Sequence, residues 1–201
     1  PSSTRYTALL ADCLRHAAEG GRPLMEMMVG KLRLFLLQQS RAAMPQQREP
    51  LTESLRLLDK HEAALCAGYP KALQGAFAEE TSGPVVRAAA APPTFDELEL
   101  MDEIQVQESV EVARALQSAL LASDQPLTDL NTLMCAVQGL KTVQAQRNPL
   151  RPELYVRSLR NLLAQTDVAS PVWLSWMQHM GVTLGKELGP VYASLRDSLR
   201  S

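Results

Sequence analysis

Aromatic residues are scarce, at 4% of the 201-residue chain. Base-stacking or sugar-binding platforms need more flat side chains than that. Neither charge sign dominates: 20 Lys and Arg stand against 22 Asp and Glu, for a net charge of −2. A generally basic nucleic-acid binder is thereby excluded, and no nucleic-acid partner is expected. No run of 18 apolar residues occurs, so no membrane-spanning helix is expected. The three cysteines, Cys13, Cys66 and Cys135, are odd in number, far apart and set among apolar neighbours. Free buried thiols in a reducing, cytoplasmic setting are the reading this favours. Pro1-Ser2-Ser3 offers neither a basic n-region nor an apolar h-region, so no signal peptide is read there. The chain also lacks an initiating Met, and a piece of a longer protein is expected.

Chemical signatures are equally sparse. The three histidines are His16, His61 and His179, and none lies four residues from another. No zincin motif, phosphate loop, dinucleotide fingerprint or nucleophile elbow is present. No metal, no cofactor and no catalytic residue is therefore expected, and the chain reads as a non-enzyme.

What is present is helix. Leu, Ala, Gln, Glu and Arg dominate, and alternating β-branched runs are missing. We expect an all-α protein, a multi-helix bundle of about seven helices. The first helix covers about Ser3 to Ala18 and ends at Gly20-Gly21. The second runs from Pro23 to Ala43 with Leu24, Met27, Met28, Leu32, Phe35 and Leu36 around much of its circumference. That pattern marks a central helix or, through its methionines, a partner surface. A third carries Leu51, Leu55, Leu58 and Leu65, with an end or kink at Gly68-Tyr69-Pro70 and a short continuation to Glu80.

Residues 81–94, with three prolines and four consecutive alanines, read as a linker. It separates an N-terminal half of three helices, 1–80, from a C-terminal half of four, 95–201. Thr94 and Glu97 have capping-box spacing at the start of a helix from Phe95 to Ala122. Its apolar face is expected along Leu98, Met101, Val106, Val110, Ala113, Leu116 and Leu120. A further helix is read from Pro126 to Gln144. Another carries Tyr155, Leu159, Leu162 and Leu163. The last begins at Ser170-Pro171 and is expected to kink or split near Gly189-Pro190. Gly181, Gly185 and Gly189 share one flank of it, which suits close approach of another helix.

Two charged groups are candidate sites. The acidic helix start, Asp96, Glu97, Glu99, Asp102 and Glu103, holds more acid than capping needs and is a candidate surface for a basic partner. Arg147, Arg151, Arg157 and Arg160 could pair with acids of this chain or another subunit, or hold the oxygens of an anionic ligand.

The segment Leu98-Glu99-Leu100-Met101-Asp102-Glu103, followed by Val106 and Glu108-Ser109, resembles a family of large, mostly helical proteobacterial proteins defined as a domain of unknown function. Some members are misnamed thymidine phosphorylases, and some end in a PilZ-like region. The connector Asn148-Pro149-Leu150 with Pro152 and Leu154 is similar to a second family pattern, and Val191-Tyr192-Ala193-Ser194-Leu195 echoes a third. The likeness covers about residues 94–201, and more faintly the rest. It implies a cytoplasmic bacterial protein of regulatory or scaffolding kind, and it supplies no catalytic residues. A cyclic-di-GMP link is implied by family context alone; the PilZ pair of R-x-x-x-R together with D-x-S-x-x-G is not present, since no D-x-S-x-x-G occurs.

Three functional expectations follow. A protein-interaction module predicts an exposed apolar or acidic groove, with a protein partner or a homodimer. A small-molecule or cyclic-dinucleotide sensor predicts a closed cavity with arginines at its mouth. An enzyme needs a histidine beside an acid or thiol.

Overall fold

The structure is a computed structural model and describes residues 2–82 and 102–201. The described residues are α-helical, with one short 3-10 turn and no strand among them. The helices are α1 (Ser2–Glu19), α2 (Gly21–Ala42), α3 (Pro45–Ser82), α4 (Glu103–Ala122), α5 (Asp124–Val137), α6 (Pro152–Ala164) and α7 (Ser170–Arg200). The all-α bundle read from the sequence is the fold. Most of the linker, the Thr94–Glu97 cap, and Asp96, Glu97 and Glu99 lie outside the described residues.

The central element is α7, which packs against α1, α2, α4, α5 and α6. It buries Trp173, Trp176, Met177, Met180, Leu184, Leu188, Tyr192 and Leu195. As expected, α2 belongs to the core, except at Met27. That helix buries Leu24, Met25, Met28, Val29, Leu32 and Leu36, but leaves Met27 exposed. Residues from both sides of the 83–101 segment share one core. Across it, Tyr69 Oη donates to the Tyr155 carbonyl at 2.9 Å, and Trp176 Nε1 donates to Ser54 Oγ at 3.0 Å.

Several element boundaries differ from the sequence expectation for local reasons. One helix, α3, continues through Pro70, where Gly21 closes in. A Cβ on Gly21 would stand 2.7 Å from Leu73 Cδ1 and 3.2 Å from Pro70 Cα. The Gly20-Gly21 corner thus serves close approach, and α2 begins at Gly21 rather than Pro23. Pro190 does not split α7, which runs on to Arg200. Of the stretch expected as one helix from Phe95 to Ala122, the described part is a helix that begins at Glu103, and residues 95–101 lie outside the described residues. Asp102 is extended, and its carboxylate accepts from Gln105 N at 2.8 Å while Gln105 Oε1 accepts from Asp102 N. That reciprocal cap fixes a helix start where the acidic run suggested a helix interior. At the other end, α5 stops at Val137 rather than Gln144. Gly139 takes φ +73, and Leu140 N returns to the Cys135 carbonyl.

The connector after α5 is pinned from within. Asn148 is fully buried; its Nδ2 donates to Asn131 Oδ1 at 2.8 Å, and its Oδ1 accepts from Leu150 N at 2.9 Å. Tyr192 Oη donates to the Leu150 carbonyl at 2.7 Å. Asn148, Leu150 and Tyr192, all within the resembling motifs, are therefore held by folding demands.

Tyr155, on α6, departs from this pattern. Its hydroxyl is buried and has no hydrogen-bond partner. Burial pushes that phenol up, with the neighbouring Cys13 adding to the shift. Tyr155→Phe should therefore leave stability within about 0.5 kcal/mol of the parent, or raise it, whereas Tyr69→Phe should cost about 1 kcal/mol. Paired urea unfolding curves measure both. A loss above about 1 kcal/mol for Tyr155→Phe would show that the hydroxyl has a partner after all.

Candidate functional site

The feature that sets this surface apart is the orientation of α4. Its inward face is centred on small residues, with the half-buried Val112 and Leu116 packing against the core beside them. Ala115 and Ala119 are buried, and they meet the glycine flank of α7. A Cβ on Gly181 would lie 2.7 Å from Ala115 Cβ, and one on Gly185 would lie 2.9 Å from Ser118 Oγ and 3.1 Å from Ala119 N. A Cβ on Gly189 would stand 3.3 Å from the Ala122 carbonyl oxygen. The two helices meet almost backbone to backbone.

This contact turns α4 so that its apolar stripe points away from the bundle. Val106, Val110, Ala113, Gln117 and Leu120 are all exposed, and Leu121 beside them is 74% exposed. Their spacing is four, three, four, three, the period of a coiled-coil seam. The expectation that Val106, Val110, Ala113 and Leu120 form the core face is thus corrected. The glycine flank of α7 accepts only small neighbours, so it selects the alanine face. Leu116 is half-buried, and Leu98 and Met101 lie outside the described residues.

Acid lies around this stripe. Asp102 caps α4, and Glu103 sits exposed in its first turn, with Glu108 half-buried one turn on. Glu111 is mostly buried. One of its oxygens accepts from Arg114 Nη1 at 3.0 Å, while Oε2 is buried without a hydrogen-bond partner. Its charge reaches His179 on α7, whose ring stacks on Phe35 of α2 at 3.8 Å between centroids. Burial holds His179 below the usual histidine range, and Glu111 opposes that shift.

The four arginines occupy different ground. Arg151 Nη1 donates to Glu80 Oε2 at 3.0 Å, and Arg157 Nη2 stands 4.0 Å from Glu80 Oε1. Both thus converge on the end of α3 rather than on the acidic α4. Arg147 Nε donates to Gln144 Oε1, and Arg160 is exposed on α6. The surface depressions at the α2–α3 corner, lined by Gln46, Glu49, Pro50 and Glu53, include none of these arginines. The histidines are dispersed. His16 ends α1, His61 meets the edge of Trp176 at 6.4 Å, and His179 stacks on Phe35. All three cysteines are free and buried. The Cys13 thiol is pushed up to about 11 by burial, so it stays protonated at neutral pH.

No cluster of His, Cys, Asp and Glu able to hold a metal occurs among the described residues. Among them, no helix is long and apolar enough to cross a membrane. Sequence reasoning found the apolar period of α4 and its acids, but not the direction in which they point. The signal for direction was the pairing of the Gly181-Gly185-Gly189 flank with the small residues Ala115, Ser118, Ala119 and Ala122.

A family model described as "Protein of unknown function (DUF1631) N-terminal domain" matches residues 5–200. The chain belongs to this family. Membership bears out the resemblance read from the helix start and the connector, and it extends that likeness over both halves. No curated protein and no solved structure matches the chain. The family description assigns no activity, so it carries no site residue over to α4, to Glu80 or to the arginines.

Proposed function

We propose that this DUF1631 domain is a non-catalytic protein-interaction module whose docking element is the outward stripe of α4. One observation carries the reading. A helix that could have buried Val106, Val110 and Leu120 presents them to solvent instead. Apolar side chains in heptad register on an exposed helix favour a helical partner laid alongside them. Asp102, Glu103 and Glu108 favour basic residues flanking the partner's apolar seam. The partner class is thus an amphipathic helix with Lys or Arg at its edges. The acids Asp96, Glu97 and Glu99 would extend the same preference. The scattered histidines give no support to an enzyme. The arginines drawn to Glu80 give a ligand sensor less support than α4 gives docking.

The test places a photo-crosslinking benzoylphenylalanine at position 110 of the full chain, in cells of the source organism, with the exposed position 132 of α5 as control. Adducts specific to position 110 are expected, and the crosslinked peptides should be amphipathic and basic. They should disappear when Val106 and Leu121 are replaced by Lys. Equal adduct yields from both positions, or adducts unaffected by those replacements, would remove α4 as the docking element.

A further inference from the structure

We infer that the partner taken up by α4 is a second copy of this chain, through the outer face of α2. The inference rests on the reading of α4 as a docking stripe and names what covers it.

α2 carries the second unpartnered stripe of the molecule. Met27, Leu34 and Leu37 are exposed, Leu34 at 57%, and Arg41 is exposed beyond them. With Gly30 between, the positions 27, 30, 34, 37 and 41 are spaced three, four, three, four. A Cβ on Gly30 would meet nothing within 4 Å. Gly30 therefore leaves an open dent between Met27 and Leu34, the shape that receives a side-chain knob. The opposite side of α2 is committed to the core through Leu24, Met28, Leu32 and Leu36.

The two stripes match in length and in charge. Each spans fifteen residues, and so fourteen helical steps, from 27 to 41 and from 106 to 120. At 1.5 Å per residue that is about 21 Å for both. The stripe on α2 is bordered by Lys31 and ends on Arg41, in the last turn of the helix. The stripe on α4 begins at Asp102 and Glu103, in the cap and first turn. Arg33, the other cation of this part of α2, is already held by Asp59 and Glu62 of α3. Antiparallel packing that sets Leu120 beside the neighbour's Met27 brings Glu103 within one helical turn of its Arg41. It also sets the positive start of one helix dipole against the negative end of the other.

Self-pairing of two α4 helices is the poorer fit. Set parallel, it aligns the acidic starts of both. Set antiparallel, it lays each acidic start on the uncharged stretch from Ala115 to Ser123 and gains no ion pair. α2 and α4 both pack on α7, so each copy carries a donor stripe and an acceptor stripe on one body.

The experiment is sedimentation velocity with light scattering on the 201-residue chain over a wide concentration range. Concentration-dependent dimers or larger self-assemblies are expected. Val110→Lys and Leu34→Glu lie at the stripe centres on exposed positions, so both should fold with unchanged helical circular dichroism. Each alone should weaken self-association at least tenfold. Mixed in equal amounts, the two variants should associate with each other, because one keeps an intact α2 stripe and the other an intact α4 stripe. Glu103→Lys should weaken assembly, and adding Arg41→Glu in the same chain should restore it. A chain monomeric at every concentration overturns the inference, as does a Leu34→Glu variant that self-associates like the parent. A monomeric chain whose position-110 adducts map to a foreign basic helix would overturn this inference alone. Adducts absent from position 110 would instead remove the docking reading beneath it.

Discussion

Trp176→Ala is expected to cost about 3–5 kcal/mol, among the largest losses open to a single substitution in this protein. The indole is fully buried in the second turn of α7, the helix on which five others pack. Its removal leaves a large cavity where the ring reaches Ser54 and His61 of α3. It also strands the buried Ser54 hydroxyl, whose partner is Trp176 Nε1 at 3.0 Å. An unpaired buried hydroxyl adds about 1–3 kcal/mol, partly counted in the total already given. Domains of this size lose roughly 2–4 °C per kcal/mol, so Tm should fall by about 6–20 °C. Ser54→Ala separates the two contributions, since it leaves the packing and removes only the acceptor for the indole. It should cost about 1–3 kcal/mol. A Trp176→Ala variant within about 1 kcal/mol of the parent would mean that α3 and α7 do not meet through this ring.

The class of the fold was legible because helical period and composition agree along the chain. Tyr155, Leu159, Leu162 and Leu163 were read as one face of α6, and all four are buried. In α7 the apolar residues at helical spacing, Trp173, Met177, Met180, Leu184 and Leu195, are the core face, with Val191 half-buried among them. The close helix–helix contact was legible in Gly181, Gly185 and Gly189. In each case the residues report a local constraint that a linear pattern carries.

The rest was not legible, for two physical reasons. First, a helical stripe has the same sequence whether it faces a core or a partner. Met27 and Val110 read as core residues because apolar period says nothing about which neighbour completes the contact. Only the partner's shape decides, and on α4 that partner is a glycine flank which admits Ala115 and Ala119 but not Val106 or Val110. Second, propensity at helix boundaries is overridden by hydrogen bonds that span a few residues. Asp102 looked like one more acid inside a helix, yet its bond to Gln105 N makes it a cap. Pro70 and Pro190 looked like breaks, yet the surrounding packing keeps both helices whole. The arginines show a related limit. Arg151 and Arg157 could have met an acid anywhere in the chain, and their anion, Glu80, lies on a helix far from them in sequence.

Gly185→Ala is expected to destabilise by about 1–3 kcal/mol, although alanine is the better helix former by roughly 1 kcal/mol. The added methyl would stand 2.9 Å from Ser118 Oγ and about as close to backbone atoms, at 3.1 Å from Ala119 N and 3.2 Å from Ser118 C. A hydroxyl can rotate away. Two backbone atoms of α4 cannot, so the helices must separate by several tenths of an ångström along their whole contact. Gly30→Ala is the matched control, because a methyl there meets nothing, and it should stabilise by up to about 1 kcal/mol. Opposite signs for the same chemical change in two helix interiors would isolate the α4–α7 contact from propensity. Thermal melts give the sign, and hydrogen exchange of α4 shows where the loss falls. Gly185→Leu takes the same logic further and should release α4 from α7, with fast exchange from Glu103 to Ala122. Since α4 presents Val106, Val110 and Leu120 only while Gly185 holds its inner face, that variant should also lose self-association while the stripe residues stay intact. Should Gly185→Ala instead raise Tm as Gly30→Ala does, the two helices would not be in backbone contact. The outward orientation of the α4 stripe would then have no structural cause.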